Sequence, residues 1–127
     1  MILLNTHVVY WSVTDPARLG PQTKDLINRS IHRYVSSVSH VEFRIKAMKG
    51  RLRLPDNLPA ALASNGLLGL PFSGEHAAAM EWFPELSTHE PFDRMLLAQA
   101  AHERLTFLTA DRRLLDLNRP WISNATA

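Results

Sequence analysis

PFDRMLLAQAAHERLTFLTAD, residues 91–111, joins a predicted helix, a predicted strand and an aspartate in an order typical of α/β proteins. Pro91 favours the first position of a helix, and apolar residues recur at helical spacing to about Arg104. Thr106–Thr109 then forms a short β-branched and apolar run, which indicates a strand. Asp111 stands just past that run. The stretch therefore predicts a helix–strand unit with a carboxylate beyond the end of the strand.

The same alternation of strands and helices extends outward over the rest of the chain. The other predicted strands are residues 2–4, 34–37, 67–70 and an edge strand at 121–122. The other predicted helices are residues 6–13, 21–31, 39–49, 58–64, 74–83 and 112–117. This order predicts a three-layer α/β/α sandwich with a central parallel sheet, formed by a single domain, residues 1–127.

Composition limits the classes of function. The chain is 46% hydrophobic and 20% charged, as is typical of a globular domain. Cysteine is absent, which excludes disulfides, thiolate metal sites and cysteine nucleophiles, so a metal ion has to be bound by oxygen or imidazole. A basic cluster between Arg44 and Arg53, with a pI near 9.4, favours an anionic partner. The N-terminal apolar run reaches a polar residue at Asn5, so we expect a cytoplasmic protein without a membrane span.

Four polar positions fall where a ligand of a parallel sheet is expected, outside the carboxyl ends of the strands. Asn5 and Asp111 follow predicted strands, and Glu42 falls in the first turn of the helix predicted after the second strand. Asp93 is the exception, because it lies in the first turn of a helix that leads into a strand. Their joint placement predicts one cleft that holds all four side chains.

Each acidic position also has a purely structural interpretation, which stays open at this point. Ser39 and Glu42 have the spacing of a capping box, in which the two side chains satisfy each other's backbone amides. Asp93 and Asp111 could complement the dipoles of the helices that they begin. In the predicted helix 39–49, the apolar residues at positions 38, 41, 45 and 48 predict a buried face.

The chemistry of phosphodiester hydrolysis gives such a cluster a functional reason. That reaction requires neutralisation of charge on the phosphate, an activated water molecule and a stabilised leaving oxygen, which one or two Mg²⁺ ions supply. Mg²⁺ prefers carboxylate oxygens. Carboxylates at helix N-termini are expected to stay ionised because the helix dipole lowers their pKa, and ionised carboxylates are the form that a metal ion requires.

Motifs over nearly the whole chain resemble those of a known family. Residues 91–100 resemble a PFDRLLIAQA segment and Thr109–Asp111 matches a TAD motif; this pair of motifs at this spacing is specific. The weaker matches are residues 3–8 to LLDTHV, Ser36, Ser39 and Glu42 to a second acidic motif, and Lys46, residues 50–52 and residues 54–55 to IKxxxGKLxLP. In these motifs the chain is similar to the VapC-like PIN-domain ribonuclease toxins of bacterial type II toxin–antitoxin pairs.

The resemblance implies a function and a set of partners. It implies a PIN-like fold and an endoribonuclease, dependent on Mg²⁺ or Mn²⁺, that cleaves a structured RNA such as tRNA or rRNA to leave a 3′-hydroxyl and a 5′-phosphate. The implied metal and catalytic positions are those of Asn5, Glu42, Asp93 and Asp111. The implied partners are a VapB-like antitoxin, whose C-terminal segment fills the cleft, and a second copy of the toxin. Toxin–antitoxin hetero-oligomers would contact DNA only through the antitoxin.

Asn5 departs from the family pattern, which has an aspartate at this position. An amide oxygen carries no charge, so three carboxylates in place of four should weaken metal binding. We therefore expect the chain to keep its fold and to have little or no nuclease activity. The alternative is a catalytically silent PIN-fold module that binds RNA or the antitoxin.

Further side chains near these motifs are weaker candidates. The hydroxyls of Thr6 and Thr109 either orient the ligands or cap helices. Arg94 and Arg112 either bind RNA phosphates or lie on a solvated face. No two histidines have a recognised ligand spacing on one helix, so structural or surface roles are predicted for them, although His89 precedes the PFDR segment closely enough to touch substrate. The pair Trp82 and Phe83 is predicted to be exposed at an interface.

Overall fold

A five-stranded parallel sheet forms the centre of the molecule. The structure is a computed structural model that describes residues 1–127. The strands are β1 (Ile2–Leu4), β2 (Arg33–Ser36), β3 (Leu67–Leu70), β4 (Thr106–Thr109) and β5 (Ile122–Asn124). They lie in the order β3-β2-β1-β4-β5, and every neighbouring pair is parallel. The predicted parallel sheet is therefore confirmed, with β5 at one edge.

Seven α-helices connect the strands. They are α1 (Thr6–Thr14), α2 (Pro21–Arg29), α3 (Ser37–Met48), α4 (Leu58–Ser64), α5 (Gly74–Ala79), α6 (Pro91–Glu103) and α7 (Arg112–Leu115). Short 3₁₀ turns follow α1, continue α5 and precede α6, at Pro16–Arg18, Met80–Trp82 and Pro84–Leu86. Each helix of the structure is too short or too polar to cross a bilayer.

Side chains of the strands alternate between two hydrophobic cores, one on each face of the sheet. Ile2 and Leu4 pack in one core with Phe43 of α3. Leu3 points to the opposite core, which contains Leu97 of α6. A strand buried on both faces reads as a continuous apolar run, as residues 2–4 do. The two cores confirm the three-layer α/β/α sandwich.

Helix α3 corrects two predictions made from local pattern. The helix begins two residues before the predicted start, with Ser36 as its N-cap: the Ser36 hydroxyl accepts a hydrogen bond from the Val38 N–H at 3.0 Å. Ser39 and Glu42 consequently lie inside the helix, and the predicted capping box is wrong. Glu42 is in the second turn, not in the first.

The predicted buried face of α3 is also wrong for three of its four members. Val41, Ile45 and Met48 are exposed, and Met48 retains 86% of its surface. Val38 is the one predicted member that is buried, and Phe43 and the polar Ser39 are buried with it. Helical periodicity identified an apolar stripe, but the packing of α3 in the fold buries a different side of the helix.

Candidate metal centre

Two carboxylates and one imidazole converge at the carboxyl edge of the sheet. Asp111 lies beyond β4, and Asp93 lies in the first turn of α6. His89 Nε2 lies 3.2 Å from Asp111 Oδ2 and 3.4 Å from Asp93 Oδ2. One ligand atom from each residue lies within 4.8 Å of the other two. A helix that crosses between parallel strands starts at their carboxyl ends, and this places Asp93 beside Asp111 even though α6 precedes β4.

Helix capping orients the two loops that carry these groups. Glu90 is the N-cap of α6, where its carboxylate accepts hydrogen bonds from the N–H groups of Phe92 and Asp93 at 3.1 and 2.9 Å. Asp111 is the N-cap of α7, and its Oδ1 accepts from Arg113 N–H at 2.9 Å. The other oxygen of Asp111, Oδ2, faces His89. One carboxylate of Asp111 therefore has a capping role and a position in the cluster at the same time.

Asp93 does not behave as a carboxylate at a helix N-terminus was expected to. Burial in the first place, together with the nearby acids Glu90, Glu42 and Asp111, raises the pKa of Asp93 to about 7. Desolvation and like charge outweigh the helix dipole here. The cluster therefore holds more negative charge than its surroundings neutralise, and a bound cation would relieve this excess.

Glu42 lies in the same cleft as Asp93. Glu42 is 7% exposed. Its Oε2 forms an ion pair at 2.7 Å with Nζ of Lys46, which lies one turn further along α3. Its Oε1 is buried and has no hydrogen-bond partner. The cleft has a volume of about 340 Å³, and Lys49 and Arg51 line it together with the acids. Glu42 does not belong to the tight group formed by His89, Asp93 and Asp111.

Asn5 is completely buried, and its hydrogen bonds lead to the cluster. Its Oδ1 accepts from the Thr6 N–H at 2.8 Å, so its Nδ2 has to be the group that faces Thr109 Oγ1, also at 2.8 Å. Thr109 Oγ1 in turn accepts from the Asp111 N–H at 3.0 Å. A chain of hydrogen bonds thus runs from the amide of Asn5 to the backbone of Asp111.

Two further contacts fix α1 against the site. The hydroxyls of Thr6 and Ser39 lie 2.8 Å apart and join α1 to α3, while the N-cap of α1 is Asn5 rather than Thr6. His7 Nε2 accepts a hydrogen bond from the Ala110 N–H at 2.9 Å. Burial lowers the pKa of His7, which keeps the ring neutral and able to accept this bond. Both contacts hold the loop after β4 in place.

The candidate arginines, Arg94 and Arg112, form no ion pair with the acids of the site. Arg94 Nη1 donates to the Ser87 carbonyl at 3.3 Å, on the loop before α6. Arg112 is exposed on α7 and forms no side-chain hydrogen bond or ion pair within the chain. Sequence reasoning overlooked His89 as a partner of the acids, because it compared histidines only with one another. The available signal was its closeness in sequence to Asp93, four residues before it on the loop that leads into α6.

The donors of the cluster fit a divalent cation. His89 Nε2 and Glu42 Oε1 are both buried without a hydrogen-bond partner, which costs free energy unless something binds them. The donor set of carboxylate oxygens and one imidazole nitrogen suits hard and borderline ions such as Mg²⁺ and Mn²⁺. The raised pKa of Asp93 also reflects burial first and then the neighbouring acids.

A comparison with known families identifies the family of this chain. Residues 2–120 match the family model described as PIN domain. The chain belongs to the PIN domain family. A PIN relative, Ribonuclease VapC22 of Mycobacterium tuberculosis, is 26% identical over 121 residues, covering 94% of this chain and 93% of that protein.

Solved structures share the PIN fold of this chain over nearly its full length. A toxin–antitoxin complex from Klebsiella pneumoniae has a TM-score of 0.67 at 15% identity, covering 97% of this chain and 96% of that one. VapBC2 from Rickettsia felis, bound to a DNA fragment from its promoter, has a TM-score of 0.64 at 15% identity, covering 98% and 97%. At these identities the likeness concerns the fold alone.

A second group of metal-ligating type in this PIN domain has another explanation. His76, His102 and Glu103 have ligand atoms within 4.8 Å of one another. However, the Ser73 N–H donates to His76 Nδ1 at 3.0 Å in a capping box at the start of α5. The proton of the neutral ring therefore sits on Nε2, which donates to Glu103 at 2.9 Å. That bond joins α5 to α6 and leaves no lone pair on His76 for a metal ion.

Proposed function

We propose that this chain is the toxin of a toxin–antitoxin pair, built as an endoribonuclease that depends on Mg²⁺ or Mn²⁺. Its substrate would be a structured RNA, either tRNA or rRNA. The observation that carries the proposal is a single cleft lined by Glu42 and Asp93 and also by Lys49 and Arg51. Acids suit a metal ion, and the cations beside them suit the phosphates of a nucleic acid. The similarity to a VapC ribonuclease supports the same assignment.

The residues have separable tasks in this proposal. Asp93, Asp111 and Glu42 would hold the ion, with Asn5 at the position of a fourth ligand. When bound, the ion would neutralise charge on the phosphate and lower the pKa of a water molecule. Thr109 orients Asp111 through its backbone, and Lys46 restrains Glu42 at 2.7 Å.

Asn5 should limit activity without disturbing the fold. Both of its polar groups already have partners inside the protein, and the amide offers no charge to a metal ion. An aspartate at position 5 would still accept the hydrogen bond from the Thr6 N–H. Its second oxygen would accept a hydrogen bond from the Thr109 hydroxyl, whereas the Asn5 amide donates to that hydroxyl. The site can therefore accommodate aspartate at position 5.

The partners follow from the same proposal. The solved structures that share the fold are toxin–antitoxin complexes, and one is bound to promoter DNA. For this chain we propose a VapB-like antitoxin, a homodimer, hetero-oligomers with the antitoxin, DNA contact only through the antitoxin, and a location in the cytoplasm. Exposed apolar side chains are available for protein partners; they include Val41, Met48 and Trp82. Phe83, by contrast, is 7% exposed and packs in the core, so its predicted exposure is wrong.

The central test is the substitution Asn5→Asp. We expect the Asn5→Asp variant to cleave RNA in the presence of Mn²⁺ or Mg²⁺ and to be inactive in EDTA. The unaltered chain should cleave RNA far more slowly under the same conditions. Mapping the 5′ ends of cellular RNA after expression would identify the site of cleavage. The matched control is the double variant Asn5→Asp with Asp93→Asn, which should be inactive. Absence of cleavage by both the present chain and Asn5→Asp would refute the nuclease proposal.

The second candidate function is the silent module that binds RNA or the antitoxin. The uncharged, internally bonded Asn5 favours it. Metal titration separates the two functions, because a silent module has no need to bind Mn²⁺ even with aspartate at position 5.

A further inference from the structure

We infer that His89 is a ligand of the metal ion, and that it gives this chain a mixed imidazole–carboxylate centre which binds Mn²⁺ in preference to Mg²⁺. The inference rests on the proposed metal-dependent function and deepens it. It adds His89 to a ligand set in which Asn5 carries no charge. Asp93 and Asp111 are the carboxylates that would share the ion with it.

The first step is the environment of the imidazole. The side chain of His89 is 8% exposed, and its Nε2 is buried without a hydrogen-bond partner. Two carboxylate oxygens nevertheless lie 3.2 and 3.4 Å from that nitrogen. A buried polar atom that is aimed at two acceptors but bonded to neither is rare in folded proteins, and it indicates a missing partner between them.

The second step is the spacing of the donor atoms. Adjacent ligands of one ion with bonds of about 2.1 Å lie about 3.0 Å apart in octahedral and about 3.4 Å apart in tetrahedral coordination. The separations from His89 Nε2 to Asp93 and Asp111 fall in or next to this range. An Nε2 at these distances from two carboxylate oxygens can share one cation with both of them.

The third step is the rigidity of the loop that carries His89. The His89 N–H donates to the Leu86 carbonyl at 2.9 Å, which closes the short 3₁₀ turn before α6. The next residue, Glu90, caps α6 through two backbone amides. The imidazole is thus held from both sides on backbone hydrogen bonds, as a ligand that has to be positioned before the ion binds requires.

The chemical class of the ion follows from the imidazole. Carboxylate and water ligands suit Mg²⁺, whereas imidazole nitrogen favours first-row transition ions. An imidazole ligand beside the two carboxylates should therefore raise the preference for Mn²⁺ over Mg²⁺. The same ligand explains how a chain with Asn5 could retain a centre, since Glu42, Asp93, Asp111 and His89 still provide four donors.

The experiment compares Mn²⁺ and Mg²⁺ binding by the full chain with binding by His89→Ala and His89→Gln. Calorimetric titration should show Mn²⁺ affinity at least roughly tenfold weaker in His89→Ala, with a much smaller change for Mg²⁺. Glutamine can offer an oxygen near the position of Nε2, so His89→Gln should lower the ratio of Mn²⁺ to Mg²⁺ affinity while it retains binding. His32→Ala, at an exposed histidine outside the cleft, is the matched control and should leave both affinities unchanged.

A spectroscopic measurement keeps the test decisive if a variant fails to fold. Pulsed electron paramagnetic resonance of the unaltered chain with Mn²⁺ should show hyperfine coupling to an imidazole nitrogen, lost in His89→Ala. Mn²⁺ binding without nitrogen coupling, or with equal affinity in His89→Ala, overturns the assignment of His89 and leaves the proposed nuclease intact. Absence of Mn²⁺ binding in both the unaltered chain and Asn5→Asp overturns the metal-dependent function as well.

Discussion

At Asp93, burial and neighbouring charge decide the protonation state against the local helix effect. The residue has the position in which a dipole stabilises a carboxylate, yet its pKa rises to about 7 because the side chain is desolvated among other acids. Asp111 shows a different compromise, with one oxygen capping α7 and the other facing His89. The arrangement of Asp93 costs stability in the metal-free protein above its unfolded pKa, as is common where a site has to bind a ligand.

We predict that Asp93→Asn stabilises the metal-free protein at high pH. Asp93 has a raised pKa in the folded state, so the unfolded chain releases its proton first as pH rises from about 4 to about 7. The resulting destabilisation is absent below pH 4, grows through this window and is complete above pH 7, with an upper bound of about 4 kcal/mol. Urea unfolding in EDTA should therefore show a clear gain for Asp93→Asn at pH 8 and little at pH 4. Equal gains at both pH values would contradict the assigned pKa.

At the scale of the element, α3 shows how a helix can be predicted correctly and placed wrongly. Two serines, Ser36 and Ser39, each precede a helical pattern with the chemistry of an N-cap. In the structure the first is the cap, while the second is buried inside the helix and bonded to Thr6. The contact with α1 satisfies the Ser39 hydroxyl, and a local rule cannot include a partner more than thirty residues away.

Ser36→Ala should destabilise the protein by about 1 kcal/mol, because the Val38 amide loses its only capping partner in the buried first turn. Chemical denaturation measures this change. Ser64→Ala is the comparison, since its hydroxyl is exposed at the end of α4 and should alter stability by less than about 0.5 kcal/mol. An unchanged midpoint for Ser36→Ala would show that the helix is capped otherwise.

At the scale of the whole molecule, the sheet turns a nearly neutral chain into one with separated charge. The net charge is only +2, yet the acids of the carboxyl edge and the cations at the end of α3 line the same cleft. Residues from α1, α3 and α6 have to meet for this cleft to exist. The fold thus places a candidate phosphate-binding surface directly beside a candidate metal centre.

Replacement of Lys49 and Arg51, the cations that line the cleft with the acids, should weaken the binding of RNA of any sequence and reduce the dependence of binding on salt. For Lys49→Ala combined with Arg51→Ala, we expect the slope of log affinity against log salt to fall by about 2, roughly one for each lost phosphate contact. Fluorescence anisotropy with a tRNA, in EDTA to prevent cleavage, measures the slope. The double variant Lys24→Ala with Arg29→Ala removes equal charge at exposed positions of α2 and should leave the slope nearly unchanged. Equal losses in the two double variants would indicate that only net charge matters.

The sequence by itself determined the order of strands and helices, because apolar periodicity and turn residues report on neighbours within a few positions. With the rule that ligands bind at the carboxyl edge of a parallel sheet, that order was enough to select Asn5, Glu42 and Asp111, while Asp93 was the exception to the rule. Only the tertiary structure decided that His89 meets Asp111, that Asp93 holds its proton near neutral pH and that Glu42 is buried beside Lys46. Those properties depend on distance and desolvation between segments far apart in the chain, and local sequence patterns do not record them.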